Sequence, residues 1–414
     1  MILAVSPLGL LSCTGQLGKP PPLDRPVFPM GMALSPDGER LAVISSNFNF
    51  AFDVGAVLLA DLGAVRDRLT GPDVVINDAF SSGVFIPTFG DRPVFDATGE
   101  HLFVTSRAEN LLHELLVDDS GVISCGGAEV CRQAPHALAL VGNDPFDIVL
   151  LDQGVDDNGA VVVRGLVTHQ SAREASIFTL NAASSGNDRL RIESAPVDFG
   201  EGAFGVRAAV MRPGDDAVGR PARIFATVER RDGTAIVGVD LVSFEVPAAG
   251  RAADVTFVRQ DLESLLGTRT TRDIAVVDDA IVVALRFPDA LARFVVDPAT
   301  GDMTLTALKD TCLEPTSLAL TGAAAGNLVL VTCQDNHSVE LIDPITLESR
   351  DALRFYGREP YDIVVDAARQ QAFVSFFLDN SIGAISLVDD DGLPGLHAIG
   401  RLGQPLPPPE DGRE

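Results

Sequence analysis

The sequence predicts an all-β fold, a single seven-bladed β-propeller of four-stranded antiparallel blades, and three observations carry the prediction. Residues 359–391 (EPYDIVVDAARQQAFVSFFLDNSIGAISLVDDD) read as three short strands, DIVVD, QAFVSFF and SIGAISLVD, and a fourth apolar segment, GLHAIGRL, follows at once. These runs are rich in β-branched and aromatic residues and are separated by turn formers. The unit recurs: Asp144-Pro145-Phe146-Asp147-Ile148-Val149 nearly repeats Glu359-Pro360-Tyr361-Asp362-Ile363-Val364. Equivalent inner-strand positions, Met32, Pro93, Ile148, Ile274, Leu318 and Ile363, are spaced by 61, 55, 126, 44 and 45 residues, and the 126 holds two units, which makes seven. Four short strands at a recurring period bury both faces of each unit against its neighbours. Helical periodicity is nearly absent, with a turn or two expected at 261–267 (DLESLLG).

The elements follow in order. Residues 1–12 are apolar like a signal peptide, and 13–27 run from Cys13 into a Pro-rich tether that cannot fold by itself. Blade 1 starts after residue 28 with PMGMALS, ERLAVIS and GAVLLADL; its loop 46–54 (SNFNFAFDV) and the excursion 78–90 (DAFSSGVFIPTFG) are both Phe-rich. Blade 2 is RPVFD, HLFVTSR and LLHELLVD, with a fourth segment interrupted by the Cys125 to Cys131 loop. Blade 3 opens at Asp144, and blade 4, from about Val206, is the least regular. Blade 5 is RDIAVVD, AIVVALR, ARFVVDPATGD and MTLTAL, and blade 6 is PTSLALT, NLVLVTC, SVELIDPITLE and DALRF. The propeller is expected over 28–404, with a disordered acidic tail at 405–414 and no evident strand near the N-terminus to close the ring.

Asp plus Glu number 58 against 31 Lys plus Arg, a formal net of −27. Such a field repels phosphate backbones and anionic lipid, so nucleic acid is not an expected partner and cations or basic proteins are. Of five cysteines, Cys125 and Cys131 flank a tight loop, while Cys312 and Cys333 lie at adjoining ends of antiparallel neighbours. Both pairs are within disulfide range, and two disulfides imply an oxidising compartment. No Gly-x-Ser-x-Gly elbow, phosphate loop, dinucleotide fingerprint or Cys-x-x-Cys-His occurs, and no His pair has ligand spacing, so no cofactor and no metal are expected. There is no Trp, which removes the WD-type and Trp-docked propellers.

FVTS at 103–106, LVTC at 330–333, SPDGERLAV at 35–43 and VDPATGD at 296–302 resemble the YVTN-type β-propeller repeat of bacterial and archaeal surface and periplasmic proteins. The likeness implies a rigid disc with a functional top face, and no single activity. The N-terminal Leu10-Leu11-Ser12-Cys13 run resembles a bacterial lipobox, which implies lipidation of Cys13 and a cell-envelope, outer-membrane location reached through the lipid alone.

Over the channel mouth the expected register collects Arg107, His169, Arg230, Arg231, Arg286, Gln334 and His337 at second-strand ends, and Asp147, Arg207, Arg272, Asp273, Arg358 and Asp362 near inner-strand starts. An Arg-rich mouth suits a small anion, with Arg107, His169, Arg230, Arg286, His337 and Arg358 as candidates; equally, these Arg pair with Asp of adjacent blades. Asp147, Asp273 and Asp362 share one position, as a carboxylate ring for a cation or as acceptors for a neighbour's N–H. Residues 152–158 (DQGVDDN) read as a hairpin turn with some features of a calcium loop. Phe48, Phe50, Phe52, Phe85 and Phe89 form either an exposed patch for a protein partner or a plug in the mouth. The leading expectation is a monomeric, lipid-anchored protein-binding platform. The alternatives are a small-anion binder and a lactonase-like hydrolase with His169 or His337 as base and Arg230 or Arg286 on the oxyanion.

Overall fold

The computed structural model describes residues 18–156, 158–212, 222–252, 255–389 and 391–405; Cys13 and the tail from 406 lie outside them. Seven antiparallel sheets follow one another along the chain as seven blades. Blade 1 is Pro29–Leu34, Arg40–Ser45, Gly55–Asp61 and Phe80–Ile86, so most of the Phe-rich excursion is its outer strand and not a loop. The long connection before it, 62–79, hides that strand from a reading by fixed spacing. Blade 4, Ala203–Met211, Arg223–Asp232, Ala235–Glu245 and Val258–Asp261, is a complete four-stranded sheet with the longest hairpin of the disc, not an irregular blade. Its strands outrun the repeat length, which blurs their periodicity. The outer strands of blades 2 and 3 are split in two, around Cys125–Cys131 in blade 2. Both expected disulfides form, with Cα separations of 5.9 Å for Cys125–Cys131 and 5.7 Å for Cys312–Cys333. The helical turn near 261–267 is Leu262–Leu266, capped by the Asp261 side chain on the Ser264 N–H and stopped by Gly267 at φ 73°, a backbone suited to glycine.

The four antiparallel strands of each blade come from one continuous stretch of chain, and blade 7 gains a fifth strand from near the N-terminal end. Blade 7 is Pro360–Asp366, Gln371–Phe376, Ser381–Val388 and Pro394–Gly403, and its edge is covered by Val75–Ile76 from the long connection of blade 1, paired in parallel with Arg401 and Leu402. Beneath that strap, Met32, Leu41, Val43 and Leu58 of blade 1 pack with Phe373, Ile382, Ala384 and Leu402 of blade 7, closing the ring with apolar surface.

Six inner strands carry a register shift at the same place, just before Met32, Ile148, Ala208, Asp273, Ser317 and Ile363 or within one residue of it. The shift turns one residue per blade toward the axis. Around the disc these are Gly31, Arg92, Asp147, Arg207, Asp273, Ser317 and Asp362. Each aspartate reaches forward to the next blade: Asp147 Oδ2 accepts the Ala208 N–H at 2.9 Å, Asp273 Oδ2 that of Leu318 at 2.8 Å, and Asp362 Oδ2 that of Met32 at 2.8 Å. The even blades supply the donors. Arg92 bonds Asp273 at 2.9 Å, Asp362 at 2.9 Å and Ser317 at 2.9 Å, while Arg207 reaches Asp147 at 3.3 Å and Asp91 at 3.4 Å. Gly31 is required because a Cβ there would lie 2.5 Å from the Arg92 Cα. The Thr and Ser of the VT-like motifs serve the same joints. Thr168 accepts from the Asp147 N–H and donates to Val206 O at 2.7 Å in blade 4; Ser375 accepts from the Asp362 N–H and donates to Met30 O at 3.0 Å in blade 1.

Burial raises the Asp273 carboxyl, but Arg92 and then Arg207 outweigh it and hold the group below its usual range. Removing Arg92 reverses that sign. Arg92→Met should therefore cost about 3–5 kcal/mol at pH 7, the usual cost of stranding a buried charge. In the variant the folded pKa of Asp273 lies above the unfolded value of about 3.9, so the lost stability returns as pH falls toward 4. Urea unfolding of both proteins at pH 7 and 4.5 checks this; a difference that does not shrink in acid would contradict it.

Candidate functional site

One residue above the axial ring, each inner strand presents a side chain to the channel mouth: Met30, Asp91, Phe146, Val206, Arg272, Thr316 and Tyr361. Around this annulus, the residue that ends a second strand or directly follows it meets the corner residue that opens the next blade. Arg107 bonds Asp144, Arg286 pairs with Glu314, Gln334 Nε2 donates to Glu359 at 3.2 Å, and Phe377 stacks on Phe28 at 5.1 Å between centroids. His337 joins the same clasp, its Nδ1 accepting the Glu359 N–H at 3.1 Å. These contacts tie neighbouring blades together, and they engage Arg107, Arg286 and His337.

Two expected mouth residues sit elsewhere. The register shift that begins the inner strands makes Gln170 and Glu229, not His169 and Arg230, the positional counterparts of Arg107 and Arg286 in blades 3 and 4, and a slip of one residue sends a side chain to the opposite sheet face. His169 is fully buried with its Nε2 2.9 Å from Ser176 Oγ, and Arg230 turns along its blade to Asp240 at 3.1 Å and Asp261 at 2.9 Å. Arg358 is held inside blade 7 by Asp379. The His–carboxylate contacts among the described residues are His101–Glu114 at 2.8 Å and His136–Glu114 at 3.1 Å, in blade 2 and away from the mouth. The 152–158 stretch runs from the end of Pro145–Val155 into a hairpin, where the Asp156 carboxylate accepts the N–H groups of Asn158 and Ala160 at 2.9 Å. Among the described residues, a trio spaced to share a metal ion is Cys312, Cys333 and Glu340, and the disulfide occupies both sulfurs.

The aromatic residues converge. Phe50 packs on Phe89 (5.0 Å), Phe89 on Phe48 (6.5 Å) and Phe48 on Phe377 (5.5 Å), which also touches Phe28 and Tyr361. Phe48 and Phe50 remain 55% and 62% exposed while Phe48 and Phe89 wall a cavity of about 350 Å³ that reaches Asp91. The rings thus wall the mouth and stay accessible. Phe52 is half-buried and outside this array, and Phe85 lies in an outer strand against the core between blades 1 and 7. Phe28 and Phe377 join the array unforeseen, since spacing places them at the first residue of the propeller and in a strand; Arg92 was equally legible only by aligning the residue before Pro93 with Asp147 and Asp362.

Neither a protein-family model nor a curated protein sequence matches the chain. Solved structures do. The periplasmic gluconolactonase PpgL of Pseudomonas aeruginosa is similar at TM-score 0.54 and 17% identity, over 79% of this chain and 84% of that one. Kuenenia stuttgartiensis hydrazine synthase aligns at TM-score 0.58 and 12% identity (89% and 98% covered), and the Cps50 (Swd1) β-propeller domain of Myceliophteria thermophila at 0.57 and 10% (87% and 96%). At such identities the likeness is one of fold alone.

Burial pushes the His169 imidazole down to about 4 and that of His113, which bonds Ser106 in the same way, to about 3. Both side chains are neutral in the fold. The unfolded chain takes up their protons from about pH 6.5 downward, so stability falls as pH drops from 6.5 toward 4, by about 3 kcal/mol for His169. Chemical denaturation across that range should show the loss, and His169→Gln should flatten the slope. An unchanged slope in that variant would assign the acid sensitivity to other groups.

Proposed function

We propose that this protein is an extracytoplasmic binding platform whose top face holds a protein partner through the aromatic array. The observation that carries the reading is the joined cluster of Phe28, Phe48, Phe50, Phe89 and Phe377, in which two rings are more than half exposed beside the channel mouth. Such aromatic groups are characteristic anchors of interfaces. The net charge of −27 favours a partner whose apolar segment is rimmed by basic residues. The two disulfides support a location outside the cytoplasm, and among the described residues no helix is long and apolar enough to cross a membrane. Lipidation at Cys13 and attachment to the outer membrane belong to the same proposal and rest on the lipobox resemblance.

A lactonase-like role would draw on the fold shared with the gluconolactonase. It calls for a base beside a carboxylate at the mouth; of its candidates, His169 and Arg230 face into and along their blades, and His337 and Arg286 are engaged at blade-to-blade corners. The same engagement of Arg107, Arg286 and Arg358 removes them as a ready-made anion cradle.

Crosslinking capture from the native envelope tests the platform. Phe48→Ser/Phe50→Ser should lose a partner that wild type and Phe52→Ser both retain, and raising salt should weaken capture. Equal capture by the array variant, or none by folded wild type, would sink the reading.

A further inference from the structure

The clasp between neighbouring blades is missing in one sector. At the clasp position blade 3 has Gln170, just past its second strand, and blade 4 has Glu229, inside its longer one, and the next corners, Phe204 and Thr270, offer neither an acid nor a matching ring. A cavity of about 210 Å³ opens there, beside the annulus, with Phe146 and Tyr361 in its wall. Arg272 points a guanidinium into it that makes no ion pair or side-chain hydrogen bond among the described residues, and its Nε is buried without a partner. Thr271, 3% exposed, lines the same cavity with its hydroxyl unpartnered, and the Arg286 Nε is likewise unmatched. Buried donors without acceptors cost about 1–3 kcal/mol each, so an acceptor supplied from outside has that much to recover.

Charge balance narrows the acceptor. Arg207 is spent on Asp91 and Asp147, Arg286 on Glu314, and Glu229 on Arg231, which leaves Arg272 as the lining arginine outside any ion pair among the described residues. Below it the axial ring holds Asp147, Asp273 and Asp362, whose field opposes a second negative charge. The fit is to a monoanion.

From these observations we propose that the cavity between blades 3 and 6 binds a carboxylate on a flat or apolar body, its oxygens taken by Arg272 and the Thr271 hydroxyl and its body lying against Phe146 and Tyr361. The site adjoins the aromatic array through Tyr361, which touches Phe377, and does not depend on the platform reading. Nothing reacts there: the step is an ion pair with hydrogen bonds replacing water.

Benzoate titrated into the full chain by isothermal calorimetry tests this, with benzamide as its neutral counterpart and sulfate and phosphate as dianions. Benzoate should bind, benzamide should not, and the dianions should bind more weakly than benzoate. Arg272→Met should weaken benzoate at least tenfold and the isosteric Thr271→Val about three- to tenfold, the range expected for hydrogen bonds to a charged group. Circular dichroism of each variant confirms folding. Equal binding of benzamide, unchanged affinity in folded Arg272→Met, or no heat from any carboxylate with folded wild type would overturn the site. Phe48→Ser/Phe50→Ser should bind benzoate as wild type does, so loss of the platform and loss of this pocket give different results.

Discussion

The structure depends on an alternation of charge along the propeller axis. A disc of seven sheets has to fix the angle between successive blades, and apolar packing alone is poorly directional. The axial positions supply direction. Asp147, Asp273 and Asp362 each take one backbone N–H of the following blade, and Arg92 pairs with Asp273 and Asp362 while Arg207 pairs with Asp147 and Asp91. Each N–H is free to be taken because the inner strand is displaced from its ladder at that point, so the backbone irregularity and the acid are two halves of one joint. Burial alone raises the Asp147 carboxyl and outweighs its arginines, whereas for Asp273 the arginines prevail. The balance between burial and the arginines thus differs from one aspartate of the ring to the next.

That arrangement decides what the mouth has left to offer. Four of the seven blade-to-blade corners are tied by side chains, three of them polar and one aromatic. An arginine committed to a corner is a joint and not a receptor. Where the tying side chains are aromatic they leave ring faces in the solvent, and where they are absent a cavity and an unpaired Arg272 remain. The two features fall on different sectors of the same annulus. The chemistry of the top face is thus set by which joints are filled, and by what.

The architecture was legible in the sequence because its repeats are written in the inner strands. Asp144-Pro145-Phe146-Asp147-Ile148 and Glu359-Pro360-Tyr361-Asp362-Ile363 spell corner, strand start, mouth, axis and core in five consecutive residues. Blade 1 kept its outer strand hidden because an 18-residue connection, carrying both a capped helix and the strap of blade 7, intervenes. The candidate site was half legible. Phe48, Phe50 and Phe89 could be placed together, but Phe28 and Phe377 meet them only through ring closure, which no local pattern encodes. His169 and Arg230 were misplaced by one residue, and in a strand one residue is the difference between the channel and the blade interior. Arg272 could be read as lying near the mouth; that its neighbours were spent elsewhere could not.

The backbone adds a final argument about the aromatic sector. In five blades the residue three before the axial position is left-handed: Phe28 at φ 47°, Phe89 at 61°, Asp144 at 60°, Glu314 at 50° and Glu359 at 51°. Phe50 adopts 54° in the neighbouring loop. A left-handed backbone costs a side-chain-bearing residue about 1 kcal/mol or more, least for Asn and Asp and more for bulky residues. At the acidic corners a clasp to arginine or glutamine offsets the cost. At Phe28 and Phe89 no such bond exists, and local preference would place glycine or asparagine there. What holds phenylalanine in that conformation is ring against ring, Phe28 on Phe377 and Phe89 on Phe48 and Phe50. Those contacts are worth about 0.5–1.5 kcal/mol each beyond the area they bury, enough to balance the strain and little more. The exposed faces of Phe48 and Phe50 are consequently not the price of a well-sealed core; the cluster sits near break-even by itself, and apolar surface covering it from outside would contribute its full burial energy.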